Sequence, residues 1–253
     1  MSREQIGATI DIWKKRVIDL AFPRRCPFCD KPVKPPGGLC CARCASIPVP
    51  VGEVFCVKCG KPVPDEEQYC EDCKNAEHDY SRGIAVFRYR SVADAIYRFK
   101  YLGRKEYADY FGVYMAERFE KALRDGTLEG LPDLLVPVPA SRQRMRKRGY
   151  NQAALLAQAM NRSLPKELRV PIETEALQRV VNTAVMRTLG VEARKKNLKK
   201  AFHVYGNSVR LKSIMLIDDI YTTGTTIDAC ARALREAGAA DVTFMSLAIG
   251  ERM

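Results

Sequence analysis

The chain has 253 residues, of which 47% are hydrophobic and 28% are charged. This is the composition of a folded protein rather than a disordered or fibrous one. The longest apolar runs, such as residues 214–217, are a few residues long, whereas a membrane span needs about 18 apolar residues. Charged residues interrupt the first 20 positions, so we expect no secretory signal and no integral membrane contact, and we expect a cytoplasmic location.

The net charge of +12 is unevenly distributed along the chain. Residues 140–200 hold 15 Lys or Arg against four Glu, whereas residues 26–75 hold six basic and seven acidic residues. Such a localised positive field favours an anionic ligand, either the phosphates of a small molecule or those of a nucleic acid. A solvated basic face is the simpler interpretation of the same charges.

The first predicted element is a helix. Apolar residues at helical spacing over 6–22 indicate an amphipathic helix, and we treat residues 1–25 as an N-terminal segment of their own. We expect this helix to pack on the protein or on a partner, with binding to a membrane surface as the alternative because Trp13 precedes three basic residues.

Residues 26–75 form a cysteine-rich module that contains nine of the ten cysteines. Eight of them form four CxxC pairs, which predict structural zinc, as one or two ions, in closed four-cysteine sites. A redox role is the alternative, and sequence leaves open whether the pairs combine sequentially or interleave. Cys40 is left over, and Gly60 after one pair fits a turn with positive φ. The expected zinc ligands are Cys26, Cys29, Cys41, Cys44, Cys56, Cys59, Cys70 and Cys73.

Residues 80–253 alternate between strand and helix patterns and predict one α/β domain. Strands are expected at 84–90, 134–138, 213–219 and 242–249, and helices at 92–101, 106–123, 152–164 and 225–237. This order indicates a parallel sheet with helices on both faces. Ligands of such sheets bind at the carboxyl ends of the strands.

The run over 214–226, IMLIDDIYTTGTT, is the most informative motif. Asp218 and Asp219 follow four apolar strand residues, and a Thr/Gly loop then opens the next helix. Backbone N–H groups at a helix start, with Thr hydroxyls, form a cradle for phosphate. Two carboxylates beside it suit a ribose diol or a metal that bridges to a pyrophosphate. The chain has neither GxxxxGK[ST] nor GxGxxG, so the common nucleotide-binding motifs are excluded.

This run resembles the phosphoribosyl pyrophosphate motif of the type I phosphoribosyltransferases. With the four CxxC pairs, VPVP at 136–139, RKRGYNQ at 146–152 and RKKNLKKAF at 194–202, the whole chain resembles the competence protein F family. The resemblance implies a type I phosphoribosyltransferase-like sheet preceded by a double zinc ribbon. The chain departs from the family pattern at Met186, where we expect Gln.

The resemblance also implies the chemistry. Phosphoribose would be transferred from phosphoribosyl pyrophosphate, with Mg²⁺, to a nitrogen acceptor that the sequence does not identify. Asp218 and Asp219 would be the catalytic residues, holding the ribose hydroxyls. The ribose phosphate would bind to Thr222, Thr223, Gly224, Thr225 and Thr226. The pyrophosphate loop would contain Arg142, Arg146, Arg148 and Gly149, and a closing loop would supply Arg194, Lys195 and Lys196.

Two other functions remain open at this stage. The site could serve as a non-catalytic sensor of phosphoribosyl pyrophosphate, because fold alone does not fix function. The family resemblance and the basic segment also permit a factor that binds single-stranded DNA and works with DNA-uptake machinery proteins. Elsewhere we expect Tyr150 and Cys230 to be core residues, and we assign no role to His78 or His203.

Overall fold

The computed structural model describes residues 23–34, 37–180 and 201–250. Two compact units make up the chain, residues 1–47 and residues 48–253. The predicted helix over 6–22 and the predicted closing-loop residues 194–196 lie outside the described residues. Within the described ranges, no helix is long and apolar enough to cross a membrane.

The first unit contains a tight turn that begins at Cys26. The Cys26 N–H donates to the carbonyl oxygen of Lys31 at 2.9 Å, and the Asp30 N–H donates to the carbonyl oxygen of Cys26 at 2.9 Å. Asp30 closes the turn in the left-handed region, with φ of +54°. A 3-10 turn over Ala42–Cys44 carries the other cysteine pair of this unit.

The second unit begins with a copy of the same turn. The Cys56 N–H donates to the Lys61 carbonyl oxygen at 2.7 Å, and the Gly60 N–H donates to the Cys56 carbonyl oxygen at 2.8 Å. Gly60 has φ of +78°, as expected. A Cβ at Gly60 would lie 3.0 Å from both the Ala85 nitrogen and the Gly83 oxygen. Glycine is therefore required here for its φ and for close packing on the first strand.

The remaining helices and strands follow in chain order. The strands are β1 (Gly83–Arg88), β2 (Leu134–Pro137), β3 (Leu177–Arg179), β4 (Phe202–Val204), β5 (Ser213–Tyr221) and β6 (Asp241–Ile249). The helices are α1 (Glu71–Lys74), α2 (Tyr89–Tyr101), α3 (Tyr107–Arg124), α4 (Arg142–Arg148), α5 (Gln152–Ser163) and α6 (Thr225–Glu236). All eight elements predicted between 80 and 253 are present, each within three residues of its expected bounds. Sequence analysis missed α4 and the β3–β4 hairpin, which are short.

A four-stranded parallel sheet in the order β1-β6-β5-β2 forms the centre of the second unit. Strands β3 and β4 pair separately and antiparallel. The sheet register places Leu134 opposite Ile214 and Asp218 opposite Ser246. The carboxyl ends of β2 and β5 therefore meet at one edge, where sequence analysis placed the ligand site.

Both faces of the sheet are covered. Ile214 to Ile217 are all buried, and successive strand residues point to opposite faces, so each face must pack on something. Ile214 and Leu216 share a buried cluster with Ile227 and Leu234 of α6. Helix α5 packs on β2, on β5 and on α3. The predicted fold class, a parallel sheet with helices on both faces, is confirmed.

The second set of cysteines belongs to the same core as the sheet. Cys56 and Cys59 are fully buried, and they share one cluster with Tyr80 and with Phe244 of β6. This set thus lies in one compact unit with the sheet, although its cysteines were grouped by sequence with those of residues 26–44. The predicted division into segments 1–25, 26–75 and 80–253 stays a prediction.

Candidate functional site

A cavity of about 300 Å³ lies at the carboxyl ends of β2 and β5. Acidic residues from β5 and basic residues from three other elements share its lining. The charged lining residues are Asp218, Asp219, Lys100, Arg144, Arg148 and Arg179. A cavity lined by both signs of charge suits a ligand that carries both hydroxyl groups and phosphates.

Asp218 and Asp219 lie within β5 and do not end it, because the strand continues to Tyr221 through its pairing with β6. Burial raises the pKa of Asp218 to about 7, and the neighbouring Asp219 carboxylate adds to the rise. The Asp219 N–H, which donates to Asp218 Oδ1 at 2.8 Å, and the cations Lys100 and Arg144 oppose it. Asp218 therefore exchanges its proton near neutral pH.

Residues 222–226 extend from the end of β5 into the first turn of α6, and we call them the phosphate loop after the role predicted for them. Gly224 is the N-cap of α6 with φ of +77°, and among the described residues no side chain caps this helix. The first N–H groups of a helix have no partner within it, so here they are available to an anion. The hydroxyl oxygens of Thr223 and Thr225 are 2.9 Å apart. The loop surrounds a small space of about 40 Å³ next to Asp218.

Helix α4 carries the basic residues that were predicted to form the pyrophosphate loop. Arg148 lines the cavity, and so does Arg144, which lies one turn earlier and was not predicted. Arg142 and Arg146 are exposed and do not belong to the lining. Gly149 closes the helix in the left-handed region with φ of +76°. A contiguous basic run was visible in sequence, but only its helical phase separates the lining positions from the others.

Three other lining residues were missed by sequence analysis. Lys100 comes from the end of α2, and its Nζ lies 2.8 Å from Asp219 Oδ1. Asn151 follows the basic run, and its amide donates to the Val138 carbonyl oxygen at 3.1 Å, which fixes the end of β2. Arg179 is on β3, and burial lowers its pKa. Sequence contains no signal that brings Lys100 or Arg179 to β5, because both come from distant elements.

The predicted cysteine ligands form two separate groups of four. The first cluster is Cys26, Cys29, Cys41 and Cys44, and the second cluster is Cys56, Cys59, Cys70 and Cys73. Within each, the sulfur atoms all lie within 4.8 Å of one another. Four converging thiols without an open position fit structural zinc. The pairs are therefore sequential, and Cys40 is outside both groups with its sulfur 3.7 Å from that of Cys26.

His78, to which sequence analysis assigned no role, lies between the second cluster and α6. Its Nε2 is 3.5 Å from Cys73 Sγ, and its Nδ1 is 3.0 Å from Asp228 Oδ2. Only 3% of the His78 side chain is exposed. The cluster and the first turn of α6 thus share one buried side chain. Cys230, also on α6, is fully buried, as expected.

The chain matches a family model, curated sequences and solved structures. The family model of the double zinc ribbon domain matches residues 17–74. Competence protein F of Haemophilus influenzae is 30% identical over 200 residues, which are 77% of this chain and 84% of that protein. DNA utilization protein YhgH of Escherichia coli is 30% identical over 229 residues, which are 90% of this chain and 98% of that protein. Hypoxanthine phosphoribosyltransferase of Trypanosoma cruzi is 14% identical with a TM-score of 0.36, over 58% of this chain and 67% of that one.

The fold and the site together define a class of protein. A parallel sheet with two carboxylates in one strand and a Thr/Gly loop after it, preceded by a double zinc ribbon, defines an α/β protein with a zinc-binding module. The chain belongs to the competence protein F family, as its identity to relatives over most of their length shows. The family resemblance found in the sequence is confirmed, and structural zinc is supported by both clusters.

Proposed function

We propose that this protein binds phosphoribosyl pyrophosphate with Mg²⁺ and transfers its phosphoribosyl group to a nitrogen acceptor. One observation carries the proposal: the cavity that Asp218 and Asp219 share with a group of cations adjoins the small space of the phosphate loop, and Asp218, Thr222 and Thr226 line both. A sugar with phosphates at both ends needs this order of partners, because each anionic end requires donors and the diol between them requires acceptors.

The parts of the ligand would be distributed along the cavity. The 5-phosphate would accept hydrogen bonds from the N–H groups and hydroxyls of the phosphate loop. Asp218 and Asp219 would accept from the ribose hydroxyls, and Arg144 and Arg148 would bind the pyrophosphate. Carboxylate oxygens are also the ligands that Mg²⁺ prefers, so the same two residues fit that ion, which would neutralise pyrophosphate charge.

The reaction would break the bond between the anomeric carbon and the pyrophosphate oxygen while the acceptor nitrogen forms a bond to that carbon and then loses its proton. Positive charge develops on the sugar, as in glycoside hydrolysis, and the Asp218 and Asp219 carboxylates would stabilise it. Lys100, Arg144 and Arg148 would stabilise the leaving pyrophosphate. We propose that Arg194, Lys195 and Lys196 close over the site and exclude water.

Calorimetric titration tests the binding site directly. Phosphoribosyl pyrophosphate is added to the zinc-loaded protein with and without Mg²⁺, and then to the double variant Asp218→Asn and Asp219→Asn. We expect Mg²⁺-dependent binding that the double variant loses. A folded, zinc-loaded wild type that binds no phosphoribosyl pyrophosphate would contradict the proposal.

A non-catalytic sensor would bind the same ligand without turnover. Release of pyrophosphate in the presence of candidate heterocyclic bases distinguishes the two functions. An enzyme releases pyrophosphate only when its acceptor is added, whereas a sensor shows the calorimetric binding alone.

A second candidate function, binding of single-stranded DNA, is favoured by exposed aromatics beside the basic helix. Tyr97 and Tyr101 on α2 are 56% and 50% exposed, and their ring centres are 5.1 Å apart. The Arg148 guanidinium lies 4.7 Å from the Tyr101 ring centre. Exposed rings and a basic surface together are typical of sites that stack the bases of single strands.

Fluorescence anisotropy with labelled oligo-dT tests this candidate. Tyr97→Ala with Tyr101→Ala should weaken binding about tenfold or more, because stacking contributes about 1–3 kcal/mol per base. Neutralising Arg142 and Arg146 should reduce the salt dependence of binding. Tyr69→Ala is the control, since Tyr69 is 44% exposed elsewhere in the same unit. Equal effects of Tyr69→Ala and the double variant would contradict a specific stacking site.

A cytoplasmic setting suits both functions. Metal sites of four thiolates need reduced cysteines, and disulfide formation is disfavoured in the cytosol. The relatives named for competence and for DNA utilization favour partners among the proteins that handle incoming DNA.

A further inference from the structure

We propose that His78 is a positioning residue through which metal binding at the second cluster and phosphate binding at the phosphate loop are coupled. The inference rests on the proposed function only in that the loop binds a sugar phosphate. It adds that the second cluster, besides stabilising the fold, sets the affinity of the loop.

The first link joins the cluster to α6 through one buried ring. His78 lies within 3.5 Å of the Cys73 sulfur and within 3.0 Å of an Asp228 carboxylate oxygen. The Asp79 N–H also donates to Asp228, at 3.1 Å. A metal-bound thiolate is a strong hydrogen-bond acceptor. A side chain that hydrogen-bonds to a metal ligand orients that ligand, and the ligand in turn holds the side chain in place. A metal at Cys73 therefore fixes the position of the ring.

The second link joins the ring to the loop backbone. A Cβ at Gly224 would lie 3.3 Å from Cε1 of His78 and 2.6 Å from the hydroxyl of Tyr221. His78 also stacks on Tyr80 with ring centres 4.7 Å apart, and the Tyr80 and Tyr221 hydroxyls are 2.7 Å apart. The backbone that would contact the phosphate thus packs against His78, which contacts the cluster, and against Tyr221, which is linked to His78 through Tyr80.

The third link is electrostatic. Asp228 is in the first turn of α6, and a carboxylate there competes with a bound phosphate for the same N–H groups. The described residues that surround the small space of the loop do not include Asp228. His78 and the Asp79 N–H instead hold its carboxylate. A displaced His78 releases that carboxylate and lowers the affinity of the loop for phosphate.

These links make the coupling reciprocal, because two ligands that stabilise one arrangement raise each other's affinity by the same factor. Cadmium-113 NMR of the full chain loaded with Cd²⁺ measures it without any assay of turnover. Two resonances are expected, one for each cluster, and Cys29→Ser identifies that of the first. Ribose 5-phosphate is the probe, and its affinity is measured in parallel by calorimetry.

In the wild type, ribose 5-phosphate should shift the cadmium resonance of the second cluster, and the dissociation constant obtained from that shift should equal the calorimetric one. The resonance of the first cluster should not move and serves as an internal control. In His78→Ala the shift should disappear and the affinity should fall about tenfold, a typical coupling. Adding Asp228→Asn to His78→Ala should restore part of the affinity, because it removes the competing charge. His203→Ala, at the other histidine, should behave as the wild type.

Two failures are distinguishable. If the wild type binds ribose 5-phosphate and neither cadmium resonance moves, the coupling is refuted while the phosphate site stands, and this result does not depend on how any variant folds. If the wild type binds no ribose 5-phosphate, the phosphate site itself is refuted, and the coupling with it. An equal loss of affinity in His203→Ala would also overturn the role of His78.

Discussion

The ammonium group of Lys100 lies 2.8 Å from Oδ1 of Asp219, and only 15% and 13% of the two side chains are exposed. The contact joins the end of α2 to β5 in the lining of the cavity. It brings a cation to the carboxylates, where the ribose and the pyrophosphate of the proposed ligand would meet. We therefore assign Lys100 to the ligand site as well as to the packing of α2.

Lys100→Met should weaken the binding of phosphoribosyl pyrophosphate about tenfold to a hundredfold. It removes a cation from the cavity, and hydrogen bonds to charged groups contribute about 1.5–3 kcal/mol. Lys105→Met is the matched control, because Lys105 packs over the Tyr150 ring and is not in the lining. Calorimetry on the folded variants measures both, and unchanged affinity in Lys100→Met would contradict the assignment.

Ligand binding should strengthen as the pH rises through about 7. The pKa of Asp218 is about 7 in the fold, whereas an unfolded aspartate has a pKa of about 3.9. Only the ionised carboxylate accepts two ribose hydrogen bonds and binds Mg²⁺. Calorimetric titrations from pH 5.5 to 8.5 would measure the trend, and an affinity that does not depend on pH would contradict it.

The raised pKa of Asp218 also predicts that this residue makes the fold less stable as the pH rises. Between about pH 4 and pH 7 the folded state binds more protons at Asp218 than the unfolded state does, so this residue lowers the free energy of unfolding as the pH rises through that window. Asp218→Asn should remove this contribution and raise the stability above pH 7. Chemical denaturation at several pH values measures it, and a parallel pH profile in the variant would count against the raised pKa.

Gly224→Ala should weaken the binding of ribose 5-phosphate at least tenfold and destabilise the fold by about 1–3 kcal/mol. The residue has φ of +77°, and the new methyl group would lie 2.6 Å from the Tyr221 hydroxyl. Gly206→Ala is the control, since Gly206 has φ of +73° with nothing within 4 Å of the added Cβ. Gly206→Ala should lose stability through backbone strain alone and should bind ribose 5-phosphate normally. Normal binding by Gly224→Ala would show that the loop does not contact the phosphate.

Arg144→Gln should weaken the binding of inorganic pyrophosphate about tenfold, whereas Arg146→Gln should leave it nearly unchanged. Both residues are exposed arginines of α4, but only Arg144 lines the cavity. The two variants lose the same charge, so nonspecific attraction to the basic helix cancels in the comparison. Equal effects would mean that the helix acts only through its overall field.

Loss of metal from the second cluster should destabilise the sheet, whereas loss from the first cluster should not. Cys59 is fully buried in the same core as Phe244, while Cys26 lies in a small cluster of the first unit. Cys59→Ser should therefore lower the free energy of unfolding of the sheet by more than about 2 kcal/mol. Thermal unfolding followed by tyrosine fluorescence, with Cys26→Ser as the control, makes the comparison.

Contiguous stretches of the sequence by themselves determined the local structure around the carboxylates and around the cysteine pairs. The strand that contains Asp218 and Asp219, the loop with Gly224 and the helix after it are consecutive, so their order alone places two carboxylates beside the proposed phosphate loop. The cysteine pairs are likewise local, because a CxxC turn brings its two sulfurs together without help from the rest of the fold.

Only the tertiary structure decided which cations and which histidine reach that site. Arg144 and Arg146 look alike in sequence, and the helical phase of α4 separates them. Lys100 meets Asp219 although α2 follows β1, which is separated from β5 by β6 in the sheet, and His78 meets Asp228 across 150 residues of chain. The physical reason is that local patterns fix the conformation of a segment, whereas contacts between distant segments depend on how the sheet orders its strands and on which faces must be buried.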